Sequence, residues 1–259
     1  MDLVEAKGLI QSRHPWELAR AAFFNRLIRG VVRRGGPVRV LDLGCGDGWF
    51  SRQLLRRLPE SSELVGWDLA LTDDLLEAFS ADLPEGMTLT HAEPGGTFDL
   101  ILCMDVLEHV PDDLALLTDL KERFLRPGGH LVASVPAWMT LFGAHDLALR
   151  HYRRYTPRRG HQFMRAAGLE VLSKGGLFHG LAAVRGLQVA RSGRAEPLED
   201  PGTYTAADEA VGLGAWHAPA PITGLISAIL QAEGLLSRAA SAARVEIPGL
   251  SWWALCRKP

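Results

Sequence analysis

The stretch that most constrains this chain is Val38 to Phe50, VRVLDLGCGDGWF. Val38, Val40, Leu41 and Leu43 form an apolar run of strand character that ends in glycines at alternate positions, Gly44, Gly46 and Gly48, after which a helix-like pattern begins. This predicts strand, tight loop, helix. Glycine is needed where the backbone takes positive φ or a ligand must come close, and a helix N-terminus offers unpaired N–H groups to a polar or anionic group. The loop is therefore built to hold a cofactor.

Spacing narrows the choice. A dinucleotide fingerprint needs G-x-G-x-x-G, its third glycine keeping helix and strand close beside a pyrophosphate. Counted from Gly44, that third position is Trp49, and Gly48 falls one residue early. Asp42, at the strand end, suits a cationic amino-acid tail better than a pyrophosphate. In DLGCGDG the sequence resembles the first motif of the class I S-adenosylmethionine-dependent methyltransferases, and the resemblance extends to about residue 172. It implies S-adenosyl-L-methionine as cofactor and S-adenosyl-L-homocysteine as product. It implies an α/β, doubly wound, Rossmann-like fold: a seven-stranded, mainly parallel sheet with an antiparallel last strand, helices on both faces, and a helical insert before that strand. The implied cofactor contacts in this stretch are Asp42, Gly44, Cys45, Gly46 and Gly48.

The 259 residues, 47% hydrophobic, can bury the core of one elaborated domain. The expected division is a single methyltransferase domain over 1–259, with an N-terminal amphipathic helix at 15–34, a cofactor-binding core at 36–172, an insert at 173–250 that caps the acceptor site, and a final strand at 251–256. A net charge of -2 gives no global bias toward nucleic acid or an anionic membrane, so partners must be argued locally. Cys45, Cys103 and Cys256 are far apart and odd in number, which reads as reduced thiols in a cytoplasmic protein, with no zinc spacing and no metal expected. MDLVEAKGLIQSR starts acidic and lacks an apolar core, so it is not a secretory signal. No stretch reaches the roughly eighteen uncharged apolar residues of a membrane span.

From Pro15 to Arg34, Leu18, Ala22, Leu27, Val31 and Phe23-Phe24 recur at helical spacing among arginines, with Pro15 in the first turn and Gly35-Gly36 past the end. Such a basic helix suits a membrane surface or packing beside the first strand, and packing is the expectation. In the resembled family it often covers the cofactor pocket. Trp49 to Leu58 predicts the first crossover helix and Glu63 to Trp67 the second strand. Asp68 follows at its carboxyl end, one βαβ step after Asp42, where a carboxylate can accept both ribose hydroxyls. The resemblance assigns that role to Asp68, with Leu69 beside it. After the third strand, Met87 to Thr90, the family often carries an adenine-binding Asp. Here the turn reads His91-Ala92-Glu93, which leaves a backbone contact at Ala92.

Phe98 to Met104 reads as a strand buried on both faces and runs into DVLEHVPDD, so Met104 and Asp105 should form part of the site floor. Glu108 and His109 beyond them read either as catalytic or as loop-ordering groups. His130 to Val135 is the fifth strand. The long connection PAWMTLFGAHDLALRHYRRYTPRRG starts at its carboxyl end and should form the acceptor wall, with Trp138, Phe142, Tyr152, Arg153, Arg154 and Tyr155 as substrate contacts. Thr156-Pro157 caps a helix to Ala167, Leu169 to Leu172 is a sixth strand, and Ser251 to Cys256 the seventh. In the insert, SGRAEPLEDPGT reads as a mobile loop or lid. Ile222, Leu225, Ile226, Ile229 and Leu230 form a helical face expected to pack on the sheet edge or line the acceptor pocket.

Methyl transfer from a sulfonium is an in-line attack, so positioning and exclusion of water matter most, and a base is needed only for a protonated nucleophile. Candidate bases are His109, His145 and Asp146, with His145-Asp146 preferred as the acceptor-side pair because its histidine titrates near neutrality. The run Arg150, His151, Arg153, Arg154, Arg158 and Arg159 is either a solvated face or a fork onto an acceptor carboxylate or phosphate. The NPPY-type and Pro-Cys motifs of DNA methylation are absent, which disfavours nucleic acid. Three readings follow: an O- or N-methyltransferase of a small, secondary-metabolite-like acceptor; a methyltransferase of a lipid-linked or membrane-surface acceptor, weakly surface-associated; and a non-catalytic cofactor-binding partner protein. The sequence sets no oligomeric state.

Overall fold

The structure is a computed structural model that describes residues 13–32, 36–200, 216 and 218–259. All of the N-terminal stretch except Arg13, the end of the predicted first helix at Arg33-Arg34, and residues 201–215 of the insert lie outside the described residues.

A helix, α1 (Pro15–Val32), precedes the sheet, with Glu17 in its first turn and Arg29 in its last, both favourable to the helix dipole. The core then alternates β1 (Arg39–Leu43), α2 (Trp49–Leu55), β2 (Glu63–Trp67), α3 (Asp73–Ser80), β3 (Met87–Thr90), β4 (Phe98–Met104), α4 (Asp113–Asp119) and β5 (Leu125–Pro136). The Thr72 hydroxyl caps α3 by accepting the Leu75 N–H, and Asp112 caps α4 by accepting the Ala115 N–H at 2.9 Å. The end of α4 is a π turn, Leu120–Phe124. After β5 come the short α5 (Ala144–Ala148), α6 (Pro157–Ala166) capped by Thr156, β6 (Glu170–Leu177), α7 (His179–Ser192), α8 (Ala220–Ala242) and β7 (Ser251–Arg257).

The seven strands lie in the order β3-β2-β1-β4-β5-β7-β6. The first five pair in parallel, and β7 runs antiparallel between β5 and β6. Helices cover both faces, as two separate cores show. Leu100 and Leu102 of β4 point into one core with α1, α2 and α8, while Phe98, Ile101 and Cys103 point into the other with α4 and α6. On β7, Trp253 and Trp252 divide in the same way, because successive strand side chains face opposite sides. Strand order reverses between β1 and β4. In open parallel sheets the crevice outside the carboxyl ends at such a point is where ligands bind.

The insert divides. The buried side of α8 carries Ser227, Leu230, Gly234 and Ser237, and it lies against α1 and β6. A side chain at Gly234 would meet the Phe23 ring at 3.1 Å, and Ser237 accepts the Trp253 indole N–H at 3.1 Å. Small residues let the helices approach closely, and the expected apolar face is split: Leu230 is buried and Ile226 packs against the core, while Ile222, Leu225 and Ile229 are exposed. The inner residues Ile226 and Leu230 pack toward the sheet edge at β6 as expected, and none of the five lies in the cavity wall. Also contrary to the sequence expectation, α8 is long and apolar enough to cross a membrane by length and composition. Its polar residues are engaged within the fold, Gln231 with Arg26 and Glu233 with the Gly180 N–H.

Candidate active site

At the carboxyl ends of β1, β2 and β4 the chain encloses a cavity of about 950 Å³. Its cofactor side is made by Gly44, Asp68, Leu69, Met104 and Asp105 from the strand ends, and by His14, Trp16 and Arg20 at the start of α1. A narrow recess continues from Gly44 to Asp42, Cys45 and Trp49. The helix α1 thus covers the cofactor end, as the resemblance implied.

Gly44 has φ +69°, and a Cβ there would lie 2.6 Å from the Val106 side chain, so no other residue fits this turn. Gly46 and Gly48 also take positive φ and shape the loop from behind the cavity wall. The Gly46 N–H donates to Asp68 Oδ2 at 2.9 Å and the Ala70 N–H to Oδ1 at 2.9 Å. These bonds hold the carboxylate at the cavity wall with lone pairs left for a vicinal diol. Asp42 is buried, and burial pushes its carboxyl up to about 6 against the opposing hydrogen bond from Ser51. A buried acid beside a glycine turn suits a ligand ammonium, so these residues fit S-adenosylmethionine. Ala92 departs from the expectation: it is outside the wall, and its N–H donates to the Thr90 hydroxyl at 2.9 Å.

Arg20, which the sequence offered only as one of several basic residues on an amphipathic helix, reaches across the floor. It pairs with Asp105 at 2.7 Å and donates to the Ser134 hydroxyl at 3.0 Å, while that hydroxyl donates to Asp105 at 3.0 Å. Asp105 itself has φ +57°, a strained conformation held by this network.

The acceptor side is built by the connection after β5. The His151 N–H donates to the Asp146 carbonyl, and the Tyr152 N–H donates to the Glu108 carbonyl at 2.8 Å. The Arg153 guanidinium donates to the Val110 and Pro111 carbonyls and pairs with Asp113 at 3.2 Å. The charged run therefore clamps its own segment onto the loop after β4. Of the predicted substrate contacts, only Arg154 lines the cavity. Trp138 donates to the Gly249 carbonyl, Phe142 is buried, and the Tyr155 hydroxyl donates to Asp113 inside the second core. Tyr152 and Arg153 likewise lie outside the wall.

Asp146 is fully buried, and it bonds to His151 rather than to its neighbour His145. Its oxygens accept from His151 Nδ1 at 3.0 Å, Arg154 Nε at 2.7 Å, Arg185 at 3.1 Å and the Gly143 N–H at 3.0 Å. Burial opposes its ionisation, but these partners outweigh it and hold the carboxyl well below the usual range, so Asp146 is a fixed anion and not a proton acceptor. His145 is in the wall, and burial lowers its pKa, leaving a neutral imidazole there at pH 7. His109, also in the wall, lies with its ring 4.6 Å from that of His151. Glu108 is 1% exposed, and burial, reinforced by Asp105, raises its pKa well above the ordinary value. No metal was expected, yet Glu108, His109 and His151 bring ligand-type atoms within 4.8 Å of one another.

Sequence reasoning missed the far wall, Leu181, Arg185 and Gln188 of α7, together with Phe178 before it. No local pattern announces them, since the tertiary placement of α7 alone brings them to the strand ends.

The sheet order, the glycine turn after β1 and the carboxylate after β2 define the class, a class I S-adenosylmethionine-dependent methyltransferase. A family model described as a methyltransferase domain matches residues 16–174, and the chain belongs to that family. Among known proteins it is 31% identical over 161 residues to a ubiquinone biosynthesis O-methyltransferase of Rhizobium etli, covering 54% of this chain and 63% of that one. It is 30% identical over 183 residues to the protein of the same name from Cereibacter sphaeroides, covering 61% and 70%. The chain thus spans just under two thirds of the length of the Rhizobium relative. A solved S-adenosylmethionine-dependent methyltransferase from Mesorhizobium loti shares the fold with a TM-score of 0.53 at 18% identity, covering 92% of this chain and 99% of that one. A [4+2]-cyclase shares it with a TM-score of 0.52 at 16% identity, covering 98% and 85%.

Proposed function

We propose that the chain methylates a hydroxyl oxygen of a small, largely apolar acceptor that carries an anionic group such as a carboxylate or phosphate. The observation that carries this reading is the single cavity running from the glycine turn to a wall holding His145, Arg154 and Arg185. Ligand pockets typically measure ~300–1,000 Å³, so this one is at the large end and has room for two partners. Bound there, S-adenosylmethionine supplies an electrophilic methyl carbon. Asp68 and Asp42 orient the cofactor by its ribose and ammonium ends. On the opposite side, Arg154 and Arg185 share the one carboxylate of Asp146, leaving an excess of positive charge for an acceptor anion. Neutral His145 takes the hydroxyl proton. Oxygen as the accepting atom is supported by the relatives at about 30% identity, which are named O-methyltransferases. The three buried free thiols suit a reducing compartment, in keeping with a cytoplasmic protein.

The test is release of S-adenosylhomocysteine over a panel of hydroxylated acceptors with and without a carboxylate, beside matched amines. The hydroxylated anionic compounds should turn over best, and Arg185→Gln should raise their KM roughly tenfold, about the effect of losing one charge-assisted hydrogen bond, while sparing neutral analogues. Turnover confined to amines would overturn the reading.

A specific observation favours a second reading, an acceptor presented at a membrane surface. Leu225, Ile229 and Leu236 on α8 and Leu187 on α7 are all more than half exposed, and Val184, also exposed, is part of the cavity wall.

A further inference from the structure

We infer that Glu108, His109 and His151 form a binding site for a divalent transition-metal ion that holds the acceptor oxygen at the cavity wall. This deepens the methyltransferase reading: the use of the metal rests on it, while binding of the metal does not.

Three observations carry it. The candidate ligand atoms lie within 4.8 Å of one another. A metal bonded at about 2.0–2.2 Å in tetrahedral geometry holds its donors about 3.3–3.6 Å apart, so side-chain rotations that bring the atoms together by up to about an ångström close the site. Second, Glu108 is 1% exposed and its Oε2 has no hydrogen-bond partner among the described residues, although all three residues face the cavity. A buried carboxylate oxygen without a partner is costly, and a cation answers that cost directly. Third, His151 is already oriented as metal-bound histidines are. Its Nδ1 is held by Asp146 at 3.0 Å, which fixes the tautomer and leaves the Nε2 lone pair for a ligand. Asp146 is in turn held by Arg154, Arg185 and the Gly143 N–H. The hydrogen bond from the Tyr152 N–H to the Glu108 carbonyl and the two from Arg153 tie the segments carrying the ligands together.

Two imidazoles and one carboxylate favour Zn²⁺, Mn²⁺, Fe²⁺ or Co²⁺ over Mg²⁺, which prefers oxygen donors. Three protein ligands leave positions open, and the open side is the cavity. An acceptor hydroxyl bound there loses its proton to His145, and its oxygen lone pair then forms the new O–CH₃ bond as the S–CH₃ bond breaks, leaving a neutral thioether. Arg20 and Arg154 also act on Glu108, so the bound ion must compete with two guanidinium groups.

The full chain, treated with chelator and dialysed, is titrated with Co²⁺ and followed by visible absorption, and its content after Zn²⁺ loading is measured by mass spectrometry. One equivalent should bind. His109→Asn, at a half-buried position where misfolding is not expected, should weaken Co²⁺ binding at least tenfold, and Asp146→Asn should weaken it about 10- to 100-fold by releasing His151. Calorimetry with S-adenosylhomocysteine should stay within about twofold in His109→Asn, showing an intact fold. Co²⁺ binding equal in wild type and His109→Asn would overturn the site. Chelator-resistant turnover, with the metal shown to be gone, would overturn its use. Metal binding without methylation of any hydroxylated acceptor would leave the site standing and fail the functional reading instead.

Discussion

Single residues divide the labour at the two ends of the cavity. At the cofactor end, Asp68→Ala removes a carboxylate that organises Gly46 and meets the ribose, and hydrogen bonds to charged groups contribute ~1.5–3 kcal/mol. Calorimetry should therefore show S-adenosylhomocysteine binding about 10- to 100-fold weaker. Asp42 adds a pH dependence. Its folded pKa, about 6, lies above the ordinary 3.8, so the ligand-free protein loses stability as pH rises through that interval. A ligand ammonium offsets the loss. The rise in Tm on adding S-adenosylhomocysteine should be larger near pH 7.5 than near pH 5, and Asp42→Asn should flatten the difference. At the acceptor end, His145→Ala should lower kcat by about 10²- to 10⁴-fold with little change in cofactor affinity, as measured by turnover and calorimetry side by side. His145 and Asp146 stood next to each other in the sequence and read as a pair. The structure parts them because on a short helix adjacent side chains point in different directions, so Asp146 turns inward to His151 and the arginines.

Among the elements, the connection between β5 and α6 behaves as a clamp. Its centre is Asp146, whose partners His151, Arg154 and Arg185 come from three places, two in the connection and one on α7. Removing one member of a buried ion network costs ~3–5 kcal/mol, so Asp146→Ala should lose about that much in urea unfolding. The sign with pH follows from a depressed carboxyl: the stabilisation is present above the ordinary 3.8 and is lost as pH falls toward the folded value. The stability difference between wild type and variant should therefore shrink on acidification below about pH 4. Most strands and helices were legible from periodicity and caps, as with Thr156 and α6. The π turn and the longer β6 were not, because tertiary packing extended or distorted segments whose local pattern was neutral. The face of α8 was read only in part, Ile226 and Leu230 packing inward and Ile222, Leu225 and Ile229 not, for a related reason. Periodicity finds an apolar stripe but not which stripe is covered, and the close approach of α1 chose the side with Gly234 and Ser237.

For the molecule as a whole, the core over residues 16–174 carries the family's fold, and α7 and α8 lie beyond the residues the family model matches. If the exposed residues of α8 dock on lipid, the protein should co-sediment with vesicles, and Leu225→Glu with Ile229→Glu should reduce that binding severalfold without lowering Tm. Equal sedimentation of the two proteins would count against docking. The sequence by itself determined the sheet class, the glycine turn and the two carboxylates at Asp42 and Asp68, because these depend on local backbone conformation and on a repeat length set by one βαβ step. Only the tertiary structure decided the acceptor wall. Glu108, His151 and Arg185 are brought together by the docking of separate segments, and no spacing along the chain encodes a contact made through the clamp of Asp146 and Arg153.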